Sequence, residues 1–316
     1  MSELAPGRLE TPLFQRVTII GLGLIGSSIA RAMRQRGVAT RIIAADVSEA
    51  VRNRVDALEL ADEVTGDLGE AVAGSDLVIL CVPVGATGSV GAQIGSALAA
   101  GAIVSDVGSV KSAVIEALSP HLPDGVHLIP AHPVAGTEYS GPDAGFSTLF
   151  VNRWCIVTPP EGSQPSAVRQ ICDFWSAIGA NVEVMTAVHH DLVLAITSHV
   201  PHLIAYNIVG TAADLEEVTQ SEVIKFSAGG FRDFTRIAAS DPTMWRDVFL
   251  NNKEAVLEML GRFNEDLAAL QRMIRWGDGQ GLFELFTRTR AIRRSIIAQG
   301  QETKEADFGR GGPAGQ

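Results

Sequence analysis

Residues 16–33 read RVTIIGLGLIGSSIARAM, an apolar, β-branched run that ends in Gly21-Leu22-Gly23-Leu24-Ile25-Gly26 and passes directly into a helical pattern. The order is strand, glycine turn, helix. Gly21 allows the tight turn, Gly23 has no Cβ to keep a pyrophosphate off the backbone, and Gly26 lets the helix pack close to the strand. The N–H groups of Leu24 and Ile25 then open the helix and can hold phosphate. A GxGxxG alone is a weak sign, because a glycine-rich turn can bind nothing. Here a second strand, Arg41 to Ala45, ends in Asp46, twenty residues past Gly26, which is where an acidic side chain accepts ribose hydroxyls. The stretch predicts a Rossmann-type dinucleotide-binding domain, with Asp46 favouring NAD over NADP by repelling a 2′-phosphate.

Beyond Asp46 the pattern keeps alternating. Helices at 48–58 and 68–73 lead to the apolar strand LVILCV, which ends at Val82-Pro83. The strand AIVSDV leads into Gly108-Ser109-Val110-Lys111, a helix runs to about Ser119, and a strand at 126–129 is closed by Pro130. Alternating strands and helices imply a doubly wound parallel sheet covered on both faces. Val82 and Pro83, at a carboxyl strand end, are expected to line the cofactor. Extended runs at 154–158 and 182–186 flank a helix at 165–178. From Val188 onward only helical patterns remain, including 218–230 and a long amphipathic run from Thr243 to Ile274. Val256, Met259, Leu260, Phe263, Leu267, Leu270 and Ile274 form its apolar stripe. The expected organisation is an N-terminal arm (1–13), a Rossmann domain (14–186), an all-helical substrate and dimerisation domain (187–300) and a disordered tail (301–316).

A chain of 316 residues, 46% hydrophobic and 19% charged, can bury the cores of two domains. A net charge of -11 argues against a nucleic-acid partner. Three widely spaced cysteines, Cys81, Cys155 and Cys172, suit a reducing cytoplasm better than disulfides or zinc. The start, MSELAPGRLETPLF, lacks the form of a signal peptide. The uncharged stretch from Leu77 to Ser105 is broken by Pro83 and five glycines, so no membrane span is expected there.

The loop AHPVAGTEYSGPDAG, 131–145, follows a buried strand and falls where a nicotinamide would arrive. Pro133 biases His132 towards extended backbone, and a neutral imidazole suits a base near neutral pH. An isolated His-Pro is otherwise an ordinary turn histidine. Ser109 can orient that base or the reacting hydroxyl; alternatively it caps the following helix. Ser198-His199-Val200-Pro201-His202 puts two histidines three apart on one helix face, but with no acidic or cysteine partner at ligand spacing no metal is expected. Arg232 and Arg236, after the Gly229-Gly230 pair, can take a carboxylate, with surface salt bridging as the alternative.

Four of these stretches, DVGSVK (106–111), HPVAGTEYSG (132–141), SHVPH (198–202) and GGFRDFTRIAASDPTMW (229–245), carry a family likeness. Over roughly residues 15 to 295 the chain resembles the prephenate and arogenate dehydrogenases of tyrosine biosynthesis. The resemblance implies His132 as catalytic base on the ring hydroxyl, Ser109 as its orienting partner and Arg236 as a carboxylate anchor. It also implies Ser198, His202, Thr137 and Glu138 as pocket residues, and a helical domain that forms a homodimer. The flanks are too short for a fused chorismate mutase or regulatory domain. Asp233 and Glu138 are acidic groups in the pocket motifs that can favour the ammonium of arogenate; the choice between the two substrates stays open. Two rival readings differ in their needs. A β-hydroxyacid dehydrogenase wants a catalytic lysine at a glycine-rich helix start, for which Lys225 is the only suggestion, whereas a nicotinamide-sensing protein without turnover needs no base.

Overall fold

The computed structural model describes residues 7–137, 139–214 and 229–298. The chain divides into two compact units, Met1–Leu257 and Glu258–Gln316.

In the first unit the sheet is built from β1 (Phe14–Ile20), β2 (Ala39–Ala45), β3 (Glu63–Thr65), β4 (Leu77–Leu80), β5 (Ile103–Asp106) and β6 (His127–Leu128). All six are parallel, in the order β3-β2-β1-β4-β5-β6. The order reverses between β1 and β4, so the carboxyl ends of these strands open the crevice in which such sheets hold dinucleotides. β3 falls in a stretch that reads from sequence only as a connector, because three half-buried residues are too few to show a period.

Period-two side-chain alternation divides the core between the two faces. Val17, Ile19, Ala44, Leu77 and Ile79 pack on one side with Ile29 and Met33 of α1 (Leu24–Arg36) and Phe174 and Trp175 of α6 (Pro165–Ala177). Ile20, Ile43, Ala45, Val78 and Leu80 pack on the other with α3 (Leu68–Val72), α4 (Thr87–Ile94) and α5 (Ser112–Leu118). Between β2 and β3 lies α2 (Glu49–Ala57), capped by the Ser48 side chain.

After Pro130 the chain leaves this sheet. β7 (Ala131–Pro133), β8 (Trp154–Val157) and β9 (Asn181–Val184) form a separate three-stranded sheet in which β7 runs antiparallel to β8 and β9 parallel to it. Pro133 lacks the N–H a central strand needs, which suits β7 to the edge.

Among the described residues, the strand-free part begins at α7 (Ala187–Leu194), which widens to a π-turn at Ala195–His199 and continues as α8 (Val200–Asp214). Pro201 has no N–H for the carbonyl four residues before it, a sufficient cause for the widened turn. The combined Ala187–Asp214 stretch is 28 residues long and apolar enough, by composition, to cross a membrane. Yet it buries His190, Asp191 and His199 within the folded unit. α9 (Gly229–Thr235), a 3₁₀ turn at Arg236–Ala239 and α10 (Pro242–Asn251) follow.

The expected single helix from Thr243 to Ile274 is two helices. Asn252 interrupts it at φ −115°, ψ 34°, and α11 (Lys253–Trp276) starts afresh. The Asn252 side chain explains the break, since it donates to the Asp191 carbonyl at 2.8 Å instead of facing solvent along the stripe.

The second unit holds most of α11, a turn through Gly277 (φ 69°) and α12 (Gly279–Ala298). It leaves large apolar side chains in water, Trp276 at 75% and Phe283 at 67% among them. The sequence readings at 218–228, Lys225, Glu138, residues 1–6 of the arm and the tail at 301–316 lie outside the described residues.

Candidate active site

The glycine turn sits at the reversal point of the sheet. Gly21 has φ 92°, and a Cβ on it would lie 2.5 Å from the Cys81 carbonyl oxygen. A Cβ on Gly26 would lie 2.0 Å from the Gly21 oxygen. Both positions therefore require glycine for protein packing alone. Gly23 differs: it is exposed and its Cβ direction meets nothing within 4 Å, which leaves room for a group from outside. α1 begins there with no side-chain cap and no acidic residue in its first turn, so the leading N–H groups of Leu24, Ile25 and Gly26 are available to an anion. Asp46 stands across the turn, held by the Leu22 N–H at 2.9 Å on Oδ2 and the Ser48 N–H at 2.9 Å on Oδ1. A carboxylate so held keeps spare lone pairs for a diol. Val82 is half-buried and Pro83 exposed at the end of β4. These residues fit a dinucleotide.

The two arginines downstream of Asp46 are already engaged. Arg52 donates to the Asp46 and Val47 carbonyls at 2.8 and 3.1 Å, and Arg54 forks onto the Asp143 carboxylate. Asp143 belongs to the loop that leaves β7, and this loop folds back on α1. The Phe146 N–H donates to Ser28 Oγ at 3.1 Å, and Arg31 donates to the Pro142 carbonyl at 3.3 Å. Gly145 is needed for the approach, since a Cβ there would lie 2.2 Å from Ser27 Oγ. The strand that carries His132 is thus followed by a strap over the glycine-turn helix.

His132 is buried on β7, at 8% exposure. Its Nδ1 lies 2.8 Å from His190 Nε2, and His190 Nδ1 lies 2.9 Å from Asp191 Oδ1. Asp191 also accepts the N–H groups of Lys111 (2.8 Å) and Ser112 (2.9 Å), so a residue of α7 caps α5. Ser109 does not fill that role: Lys111 is the cap position and no side chain of the local sequence bonds there. The fully buried Lys111 ammonium bonds Asp106 of β5 and the Ala131 carbonyl (2.7 Å), which ties the parallel sheet to the strand bearing His132.

Burial governs the charges here. It pushes His132 well below 6.5, with the nearby His190, Lys111 and His199 charges acting in the same direction. His190 also moves down through burial, although its bond to Asp191 opposes the shift. For Asp191 burial acts upward, but hydrogen bonds from His190, Ser112 and Lys111 outweigh it and the carboxyl lies below its ordinary value. His199 is lowered by burial to about 4. Near neutral pH the cluster is therefore neutral imidazoles around one carboxylate. A buried histidine whose folded value is depressed destabilises the fold as pH drops from 6.5, where the unfolded chain protonates, towards 4.

His199 and His202 both face Trp245. The His202 ring stacks on the indole at 3.7 Å and 23°, and its Nδ1–H donates to the Ser198 carbonyl at 2.8 Å. Burial lowers His202, and the Arg236 charge nearby lowers it further. Arg236 and Asp233 are exposed, and each has an interaction partner. Thr137, exposed on the strap, accepts the Tyr139 N–H at 3.3 Å. The structure thus joins Ser198, His202 and Arg236 in one group, His132 with α7 in another, and Ser109 beside His199.

Residues 29–184 match the family model for the nucleotide-binding domain of prephenate dehydrogenase, and residues 186–288 match that for its dimerization domain. The chain belongs to the prephenate dehydrogenase family. A cyclohexadienyl dehydrogenase of Zymomonas mobilis is 44% identical over 90% of this chain and 97% of that protein. The crystal structure of prephenate dehydrogenase from A. aeolicus in complex with hydroxyphenyl propionate and NAD+ superposes with TM-score 0.84 at 31% identity, covering 89% of this chain and 98% of that one. A Synechocystis arogenate dehydrogenase has TM-score 0.77 at 26% identity, over 89% of this chain and 100% of that one. Like other members of the prephenate dehydrogenase family, this chain is an NAD-dependent oxidoreductase.

Several residues of this site escape sequence reasoning: His190, Asp191, Asn252 and the Asp106 and Lys111 pair. One signal for two of them exists. His189-His190-Asp191 opens a long helix that is otherwise almost uncharged, and polar groups entering an apolar helix call for buried partners.

Proposed function

We propose that this protein carries out NAD-dependent oxidative decarboxylation of prephenate, arogenate or both, the step that leads to 4-hydroxyphenylpyruvate or tyrosine, with His132 as the base. One observation carries the residue assignment: a buried, neutral imidazole sits on the strand whose following loop straps the helix that leaves the dinucleotide turn. Bound NAD supplies the hydride acceptor. His132 takes the proton of the ring hydroxyl as the C–H bond on that carbon breaks, and Ser109 orients the pair. The ring carboxylate then leaves as carbon dioxide and its bonding electrons aromatise the ring. His132 returns its proton to the phenolate oxygen, so no net proton is lost. Arg236 anchors a substrate carboxylate, with Ser198, His202, Thr137 and Glu138 lining the pocket. Asp233 and Glu138 are the candidates for preferring the ammonium of arogenate. The test is direct. Protein, NAD+ and prephenate or arogenate are mixed and the absorbance of reduced cofactor is followed; no signal with either substrate contradicts the proposal.

The same reading assigns the cofactor contacts to Gly21, Gly23, Leu24, Ile25, Gly26, Asp46, Val82 and Pro83. With the Arg52 donors turned onto backbone carbonyls and Arg54 paired with Asp143, the Asp46 carboxylate is expected to repel a 2′-phosphate. NAD is expected to exceed NADP in kcat/KM by at least about tenfold, a difference of about 1.4 kcal/mol, and Asp46→Ser to narrow that margin. Equal efficiencies for the wild type contradict the assignment.

The division proposed is a Rossmann part at 14–186 and a helical part at 187–300, the latter forming a homodimer in the cytoplasm. Free cysteines at 81, 155 and 172 are in keeping with a reducing compartment. The apolar side chains left in water on the second unit, Phe283 and Phe286 among them, are in keeping with an interface. Sedimentation at micromolar concentration should give twice the chain mass; a fully active monomer argues against the dimer.

A further inference from the structure

Asp191, His190 and His132 form a chain whose proton positions are decided by valence. Asp191 accepts two backbone N–H groups at the start of α5, an arrangement that favours the ionised form, and an ionised carboxylate can only accept. The hydrogen between Asp191 Oδ1 and His190 Nδ1 therefore belongs to His190. A neutral imidazole carries one N–H, so His190 Nε2 is an acceptor. The hydrogen across the 2.8 Å contact must then sit on His132 Nδ1, which leaves Nε2 as the one lone pair of the His132 ring. The two rings meet edge to face, at 5.1 Å and 71°, and His190 is wholly buried. Burial of His190 keeps bulk solvent away from its side of the contact.

We propose that His190, oriented by Asp191, is a positioning residue for the reaction, holding His132 in the Nδ1–H tautomer so that Nε2 is always the basic nitrogen. The inference rests on the reading of His132 as the base. The logic is that of a buried carboxylate setting the tautomer of a catalytic histidine, here transmitted through a second imidazole instead of by direct contact. When His132 gains the substrate proton at Nε2, its Nδ1–H already points at an acceptor, so the imidazolium forms without reorganisation. Lys111 and His199 are the other ionisable groups whose charge reaches His132, and both oppose a second proton on the cluster.

Two measurements on the full-length protein test this. Nitrogen-15 NMR of histidine-labelled wild type should show His132 as the Nδ1–H tautomer at neutral pH, and an Nε2–H tautomer overturns the proposal whatever the variants do. His190→Leu should lower kcat by about 10²-fold with KM and NAD affinity little changed, and should release His132 to the other tautomer. His190→Gln offers a carbonyl oxygen in place of Nε2 and should recover most of the loss. Unchanged kcat in folded His190→Leu, or no difference between Leu and Gln, overturns the positioning role. A failure of His132 as base is separately visible, since His132→Asn would then keep its turnover while the wild-type tautomer stayed as stated.

Discussion

His132→Asn lowers turnover by about 10²- to 10⁴-fold while leaving NAD affinity nearly intact. Asparagine keeps the size and polarity of the side chain and can still donate towards His190, but it has no lone pair basic enough to take the hydroxyl proton. The loss belongs in kcat and not in cofactor binding, because the dinucleotide turn at Gly21 to Gly26 is built from backbone on another strand end. The pH profile of the wild type carries the same signature. Burial first, then the His190, Lys111 and His199 charges, hold the His132 value well below 6.5, and the active form is the neutral one. The free enzyme therefore keeps its base as pH falls through 6.5, and the acid limb of kcat/KM lies below that value. Near-normal turnover in His132→Asn, or an acid limb centred at or above 6.5, moves the base elsewhere, with His199 and His202 next in line.

Lys111→Met should destabilise the fold by about 3 to 5 kcal/mol, read from denaturant unfolding at neutral pH. Lys111 is wholly buried and Asp106 is 1% exposed, so removing the ammonium leaves a carboxylate in the core without its counter-ion, held by backbone N–H groups such as that of Gly108. The Ala131 carbonyl, next to His132, loses its donor as well. Asp106→Asn in the same chain removes the stranded charge and should recover much of the loss, the pattern expected when the cost is an unpaired ion and not lost packing. The sign with pH follows from the direction of the Asp106 shift. Burial raises its carboxyl value in the folded state even beside Lys111, and more so without it. Below the unfolded carboxyl value both states are protonated and the penalty vanishes; it grows as pH rises through the folded value. A loss in Lys111→Met that is larger at acid than at neutral pH contradicts this account.

What the sequence determined alone is what is decided within a few residues. The positive φ at Gly21, the uncapped start of α1, Asp46 at the end of β2 and the alternation of the core strands all follow from turn chemistry and periodicity, which act locally. Tertiary structure decided the rest. His132 is legible as a candidate from the loop it opens, but its partner His190 is 58 residues away, Asp191 reaches 80 residues back to cap α5, and Asn252 breaks a helix to bond a carbonyl 61 residues away. The departure of β7 from the parallel sheet belongs to the same class, since it depends on pairing with β8 more than twenty residues later. No short-range pattern encodes such contacts: a buried polar group must find a partner, and which partner it finds is known only once the chain has brought both together.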